Sequence, residues 1–331
     1  MQFSANKKLL LQILADGKFH SGTELAEQIG LSRSAIWKQL NGLEEQGIAI
    51  SAVNGKGYRL NSPLELLDKS LIYSLLNIET RQCLSELEIH DQIDSTNRYL
   101  VALCNANPET SAVCCVAEQQ TAGKGRRGKQ WVSPFGSNIY ASIAWQFQGG
   151  PASLSSLSLA IGVAVINALK IHGIHDAGLK WPNDIYWQQR KLGGILVEVS
   201  GESDGPCHAV IGLGLNLYLA EQDGAQIEQD WVTINEIMGN SHQLSRNQLL
   251  ATLLEQLIAV TRYYTPTSFA LYRDQWRQFD CMQGQQVSLF MGNTKVNGTV
   301  LGINDAGLLL LQTETGQTQS FASGEVSFRR L

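Results

Sequence analysis

The sequence predicts an α+β protein of several domains: an N-terminal winged helix-turn-helix, a central unit on a mixed sheet, and a small SH3-like β-barrel at the C-terminus. Residues 1–63 carry apolar positions at helical spacing, followed by two short strands about an Asn-Gly turn. From 64 to 272, several strands follow one another without a regular βαβ alternation, which points to a mixed sheet rather than a doubly wound parallel one. Residues 273–331 end in a stretch, from 283, that alternates apolar and polar residues between the turns "MGN", "VNG", "NDAG" and "ETG".

Composition narrows the class. A chain of 331 residues has room for two or three cores, and 44% hydrophobic with 17% charged residues is the balance of a soluble globular protein. No uninterrupted apolar run reaches the length of a membrane span, and "SLSLAIGVAVINALKI", broken by serines and an asparagine, reads as a buried helix. Gln12 interrupts the leucines after Lys7 and Lys8, and Asp16-Gly17-Lys18 follow, a poor signal peptide. Cys83, Cys104, Cys114, Cys115, Cys207 and Cys281 show no metal-ligand spacing and read as reduced thiols of a cytoplasmic protein. The net charge of −5 argues against a general nucleic-acid binder. Residues 1–62, however, hold seven basic and five acidic residues, +2 against −7 for the remainder, so a polyanion contact belongs at the N-terminus.

Leu9, Leu10, Ile13 and Leu14 share a helical stripe that Asp16-Gly17 stops. Ser21 with Glu24 forms a capping box for a second helix bearing Leu25, Ala26 and Ile29. Gly30 ends it, and Ser32 caps a third helix carrying Ile36, Leu40 and Leu43. Two short helices about a glycine turn, then "IAISAVNGKGYRL" as a hairpin, give a winged helix-turn-helix with the third helix as reader. Ser21, Thr23, Ser32, Arg33, Ser34, Trp37, Lys38 and the wing's Lys56 are the candidate DNA contacts, with Asn41 alongside. A helical protein-interaction module is the alternative. Ser62-Pro63 marks the boundary.

The central unit is expected to hold helices at 65–77, 96–105, 152–172, 245–263 and 267–280. Its strands are "LEIHDQI", "AVCCVAEQ", "NIYASIAWQF", "LKWPNDIYW", "LGGILVEV" and "HAVIGLGLNL". Between the second and third lies "TAGKGRRGKQW", where Gly123, Gly125 and Gly128 satisfy the dinucleotide formula G-x-G-x-x-G. That fingerprint needs a helix after its second glycine and an acidic residue about 20 positions on. Here "KQWVSPFGSN" follows, a poor helix, and the acidic residue is missing, so the dinucleotide reading fails. What remains is a mobile glycine-rich loop with Lys124, Arg126, Arg127 and Lys129, whose mutual repulsion an anion would relieve. The other reading is a solvated loop.

Four further segments carry polar chemistry. "DSTN" (Asp94–Asn97) opens a helix, fit for ligand contacts or for capping. "KWPND" gathers Lys180, Asn183 and Asp184 about one proline, and "RKLGGILVE" sets Lys191 beside glycines. In "GLGLN", Gly212 and Gly214 let a ligand approach a strand closely, ahead of Asn216.

In this order and behind a winged helix, these segments resemble the biotin protein ligases, specifically the bifunctional bacterial class that is also the biotin operon repressor. The resemblance covers essentially the whole chain and implies a class II synthetase-like ligase domain. It implies that Ser95, Thr96, Asn97 and Gln120 contact the biotin head group with the glycine-loop residues Gly123, Lys124, Gly125 and Arg126. Lys191 is then near the biotin carboxyl and phosphate, with Gly212 and Gly214 lining the pocket. Trp131, Asn183 and Asn216 fall around the adenosine, with Arg126, Arg127 and Lys129 on the nucleotide side. Lys191, Arg126, Lys180 and Asp184 form the implied catalytic set. Lys124 stands where some relatives carry Arg, and Thr121 where some carry a second Gln.

The implied chemistry is ATP-dependent formation of biotinyl-5′-AMP, then transfer of biotin to a lysine of the biotin carboxyl carrier protein of acetyl-CoA carboxylase. Mg²⁺ would accompany the ATP phosphates, with Asp184 either helping to hold it or orienting Lys180. By the same resemblance biotinyl-5′-AMP is the corepressor of a homodimer on palindromic operator DNA, with no membrane partner. The C-terminal barrel is expected to support the nucleotide and carrier side, or to cap the fold passively. Two other functions compete: a lipoate–protein ligase, whose R-R-x-S-G-G-G-x pattern is missing, and a non-enzymatic metabolite-sensing repressor.

Overall fold

The computed structural model describes residues 2–61, 64–239, 244–265, 267–291 and 294–322, and the backbone of 326–330. The expected boundary Ser62-Pro63 lies outside them, as do Gly292 and Asn293 of the "MGN" turn. Helices α1 (Ala5–Leu14), α2 (Gly22–Ile29) and α3 (Arg33–Glu44) come first. The hydroxyls of Ser21 and Ser32 accept the backbone N–H of Glu24 and Ala35, so both serines cap helices. Gly30, in the left-handed region at φ 73°, closes α2. Strands β1 (Ile50–Val53) and β2 (Gly57–Leu60) pair antiparallel as the wing. The core gathers Leu10, Leu11, Leu14, Leu25, Ile36, Leu40 and Leu43. Leu9, expected in that stripe, is 39% exposed. In a run of three leucines the stripe can shift by one residue, and Leu11 takes the inward place.

The central unit contains α4 (Lys69–Leu75), α5 (Ile78–Cys83), β3 (Glu86–His90), α6 (Thr96–Ala106), β4 (Val113–Ala117) and β5 (Ile139–Phe147). Then come α7 (Leu157–Ile171), β6 (Gly178–Lys180), β7 (Asp184–Trp187), β8 (Arg190–Gly201), β9 (Cys207–Leu215), α8 (Glu221–Gly224), α9 (Ile234–Ile237), α10 (Arg246–Tyr263) and α11 (Phe269–Phe279). The seven strands form one sheet in the order β3-β4-β5-β9-β8-β7-β6. Only β3 and β4 run parallel, with α6 as their crossover; the other neighbours are antiparallel, so the sheet is mixed as expected.

Strand alternation divides the core. Cys114 faces α7 and α10, whereas Cys115 faces α6 on the other side. The apolar α7 is the central core helix, with 11 of its 15 residues buried. All six cysteines are free thiols.

Two expected elements differ. The helix placed at 65–77 begins only at Lys69, with Leu64–Asp68 outside any helix or strand, and α5 follows it separately. "LKWPNDIYW" is not one strand but the hairpin β6–β7, its turn holding a cis Trp181–Pro182 bond.

Strands β10 (Gln286–Met291), β11 (Thr294–Ile303), β12 (Leu309–Thr313), β13 (Thr318–Phe321) and β14 (Val326–Arg330) make the five-stranded antiparallel C-terminal sheet. Chain order carries β10 to β13 through successive neighbours, and β14 returns to pair with β10. Helix α11 runs unbroken through position 272, where the central unit was expected to end. The Trp181 indole N–H donates to the Gly307 carbonyl at 3.1 Å, tying this unit to the β6–β7 turn.

The non-helical stretch before α4 is explained by a buried polar hub. Arg246, at the start of α10, and Glu118, just past β4, are each 1% exposed and paired at 2.6 Å. Arg246 also donates to the carbonyls of Glu65 and Asn138, while the Leu67 N–H donates to Glu118. The Glu65 carboxylate in turn accepts from Ser245, the Arg246 N–H and Asn247. Residues 65–67 therefore spend their hydrogen bonds on the hub and leave none for a helix. Arg246→Ala strands a buried carboxylate and is expected to destabilise the central unit by about 3–5 kcal/mol, read as a lowered denaturation midpoint.

Candidate active site

The N-terminus of α6, the basic loop, the β6–β7 turn with the start of β8, and the end of β9 converge on one cavity of about 960 Å³. The loop 217–233, which the sequence reading passed over, supplies the far wall through Gln226–Gln229 and Trp231. Every residue expected to bind biotin or nucleotide, or to act in catalysis, lines this cavity except Gly123. Gly123 is buried behind it, where a Cβ would lie 2.4 Å from the Trp131 carbonyl oxygen.

The cavity floor is a hydrogen-bonded chain of buried side chains. Ser95 caps α6, which turns Thr96 and Asn97 inward. Gln120 Oε1 accepts from the Thr96 N–H at 2.9 Å, and Gln120 Nε2 donates to Ser133 Oγ. Ser142 Oγ stands 2.7 Å from Thr96 Oγ1 and 2.6 Å from Asn97 Oδ1. Ser133, Ser142, Tyr186 and Glu198 were not singled out from sequence, because each is an ordinary strand or loop residue until its partners are known.

Gly212 and Gly214 line the cavity and also make room for the protein's own side chains. A Cβ at Gly212 would fall 2.1 Å from Asn97 Oδ1, and one at Gly214 2.4 Å from the Trp131 indole. Strand β9 is bare at these points so that the Asn97 amide and the Trp131 ring can lie on it.

The basic loop forms a compact hairpin. The Gly125 N–H donates to the Lys129 carbonyl, the Trp131 N–H to Gly123, and a short 3₁₀ turn spans Arg126–Gly128. No helix follows it. The hairpin directs Arg126 inward, where its guanidinium donates to Asn183 Oδ1 at 3.0 Å, while Arg127 and Lys129 remain exposed at the mouth. Burial, with like charge from Arg127, pulls Arg126 below the ordinary arginine range, against the pull of Asp184.

Deeper in, Lys191 pairs with Asp184 at 2.8 Å and stands 5.5 Å from the centre of the Trp131 ring. Asp184 thus orients Lys191. Lys180 donates to the Tyr186 hydroxyl at 3.2 Å, and burial lowers its pKa, with Asp184 opposing the shift. Among the described residues no group of three His, Cys, Asp or Glu could hold a metal ion.

On the N-terminal unit, Thr23, Arg33, Ser34, Trp37, Lys38 and Lys56 are exposed, Trp37 at 57% despite its size. Ser21 and Ser32 are also exposed, but their hydroxyls serve as helix caps.

Gly214→Ala is expected to push the Trp131 ring from its seat at a cost of about 1–3 kcal/mol. The check is a red shift in tryptophan emission that a Trp131→Phe control removes.

Residues 89–216 match the Biotin/lipoate A/B protein ligase family, residues 6–59 an HTH domain, and residues 283–329 the Biotin protein ligase C terminal domain. The chain is 38% identical over 320 residues to the bifunctional ligase/repressor BirA of Escherichia coli K12, covering 97% of this chain and 96% of the relative. It is 30% identical to the Bacillus subtilis bifunctional ligase/repressor BirA, covering 95% and 96%. The solved biotin protein ligase of Aquifex aeolicus in complex with biotin and ATP superposes with a TM-score of 0.63 at 27% identity, over 75% of this chain and all of that one. With the winged helix, the ligase sheet and the C-terminal strands each accounted for, the chain belongs to the bifunctional biotin ligase/repressor family.

Proposed function

We propose that this protein activates biotin with ATP, transfers it to a carrier-protein lysine, and uses the activated intermediate to govern DNA binding. The observation that carries the ligase reading is the convergence of Arg126, Lys180 and Lys191 on one cavity beside an uncharged hydrogen-bonding floor. Three cations suit a site that must hold a carboxylate against a polyphosphate, and the neutral floor suits a cyclic urea.

In the first step, the biotin carboxylate attacks the α-phosphorus of ATP, giving biotinyl-5′-AMP and pyrophosphate. Lys191 sits at the carboxylate and α-phosphate, while Arg126 and Lys180 offset the charge that builds on the phosphoryl oxygens. Catalysis here is positioning and electrostatics. In the second step, the neutral amine of a carrier lysine attacks the acyl carbon and expels AMP, losing a proton as the amide forms. Ser95, Thr96, Asn97, Gln120 and the loop backbone hold the head group. Trp131, Asn183 and Asn216 surround the adenosine, and Arg127 and Lys129 cover the phosphates from the mouth. The closed hairpin keeps water from the mixed anhydride. Magnesium enters as the counterion of ATP.

The three units divide the labour: 1–63 reads DNA, 64–272 is the ligase, and 273–331 braces the β6–β7 turn. We place α11 with the seam between the last two. The second function pairs two copies, each carrying biotinyl-5′-AMP, on a palindromic operator in the cytoplasm, with Arg33, Lys38 and Lys56 on phosphates and Ser34 and Trp37 at base edges.

Biotin-dependent exchange of pyrophosphate into ATP tests the first step directly. Exchange is expected with biotin and not with lipoate; lipoate alone supporting it would transfer the assignment, and exchange with neither would leave a sensor. Lys191→Ala is expected to lower the exchange rate about 100- to 1,000-fold. Operator binding should tighten when biotin and ATP are both present; equal affinity without them would sink the coupling.

A further inference from the structure

We propose that Glu198 is a positioning residue that sets the donor–acceptor polarity of the pocket floor, and through it recognition of a ligand with N–H groups in its head. The assignment rests on the biotin reading above. Glu198 lies on β8, half-buried, and its Oε2 accepts from Asn97 Nδ2 at 2.8 Å. The same amide nitrogen donates to the Leu196 carbonyl at 3.3 Å. Both partners are acceptors, since a carboxylate and a backbone carbonyl have no hydrogen to give. The Asn97 amide therefore has one orientation, nitrogen toward β8 and oxygen toward Ser142.

The rest of the chain follows from counting protons. Asn97 Oδ1, 2.6 Å from Ser142 Oγ, can only accept, so the single Ser142 proton goes to it. On its other side the Ser142 hydroxyl stands 2.7 Å from Thr96 Oγ1, and the Thr96 hydroxyl in turn donates to Gln120 Oε1 at 3.2 Å. Gln120 Oε1 accepts both that hydroxyl and the Thr96 N–H, so Gln120 and Asn97 each turn a carbonyl oxygen to this end of the floor. The floor at this end thus presents oxygen lone pairs to the cavity, the complement of urea N–H groups. Removing the Glu198 carboxylate leaves only the longer Leu196 contact to fix the amide. A flipped Asn97 sets an amide N–H against Ser142 in place of the acceptor oxygen and leaves the Ser142 hydroxyl to Thr96 alone.

The test is calorimetric binding of biotin alone, without ATP, so that neither adenylate formation nor adenylate-driven pairing enters, together with steady-state exchange kinetics. Glu198→Ala is expected to weaken biotin binding and raise the KM for biotin about tenfold, with kcat and the KM for ATP within about twofold of wild type. Glu198→Gln, whose carbonyl can still accept from Asn97 while its amide turns to solvent, should restore binding. In an Asn97→Ala background, Glu198→Ala should cost nothing further, because its effect passes through Asn97. Glu198→Leu replaces the alanine variant if that folds poorly. Unchanged biotin binding in Glu198→Ala overturns the assignment alone. So do equal losses in the Ala and Gln variants, or additive losses with Asn97→Ala. A wild-type protein that binds no biotin overturns the functional reading and this assignment with it.

Discussion

The Glu118–Arg246 pair fixes the places of the other parts. It is a costly device, since both charges leave water, and an apolar pair of equal volume would often be as stable. Its value lies in what the two side chains reach. Arg246 holds the carbonyl of Glu65, on the segment that leaves the winged helix, and that of Asn138, at the end of the chain that leaves the basic loop. The Glu118 carboxylate holds Leu67, and its backbone carbonyl accepts from Gly136. One ion pair therefore clamps the inter-domain linker, the exit of the substrate loop, the end of β4 and the start of α10. Nothing else among the described residues joins these four segments through buried charge.

From that frame the cavity inherits its electrostatics. Lys191, Lys180 and Arg126 each have a partner, and Lys191 has a full counter-charge in direct contact, from Asp184. Lys180 leans on a phenol and Arg126 on an amide oxygen. These partners orient the cations, and in the proposed function the cations so placed meet the phosphates. Burial depresses the pKa values of Lys180 and Arg126, which is the cost of keeping such charges out of water. An anion that enters removes that cost, and the gain is largest where negative charge is greatest, on the pentavalent phosphoryl group.

Features encoded over a few residues were legible before any coordinates. Ser21 and Ser32 as caps, Gly30 as a stop, the Asn-Gly wing and the cation-bearing motifs are all local patterns. The dinucleotide fingerprint could be dismissed because the helix it requires has no local signal after Gly128. The missed features share a different character. Glu118 and Arg246 are 128 positions apart, and Asn97 and Glu198 are 101 apart, so neither pairing has a sequence signature. The late start of α4 is a consequence of the first pairing, since propensity alone would extend that helix back over Glu65–Leu67. Gly212 and Gly214 were legible as close-approach glycines, but what approaches them is the protein's own Asn97 and Trp131, which only the packing reveals.

The path from substrate loop to DNA reader is short and continuous. The hairpin that carries Arg126 ends at Trp131, whose carbonyl accepts from Ser133; two residues later Phe135 enters the core of the winged helix. There it stacks on Phe3, centroids 5.3 Å apart and planes within 9°. The Phe3 N–H donates to the Asp91 carboxylate, which also pairs with Lys8 on α1. The segment between cavity and reader is thus the five residues Trp131 to Phe135, held at both ends by side-chain packing, in the middle by the Gln120 N–H on the Ser133 carbonyl, and just past Phe135 by the Glu118 carbonyl on Gly136. In the proposed function this segment links the cavity to the core of the winged helix, and a ligand that biases the hairpin is expected to act through the seat of Phe135. Linkage makes the effect reciprocal: whatever free energy the adenylate lends to DNA binding, bound DNA must return as tighter retention of the adenylate. A repressor that holds its corepressor more firmly on DNA withholds that same activated biotin from carrier protein, so the two functions compete for one intermediate.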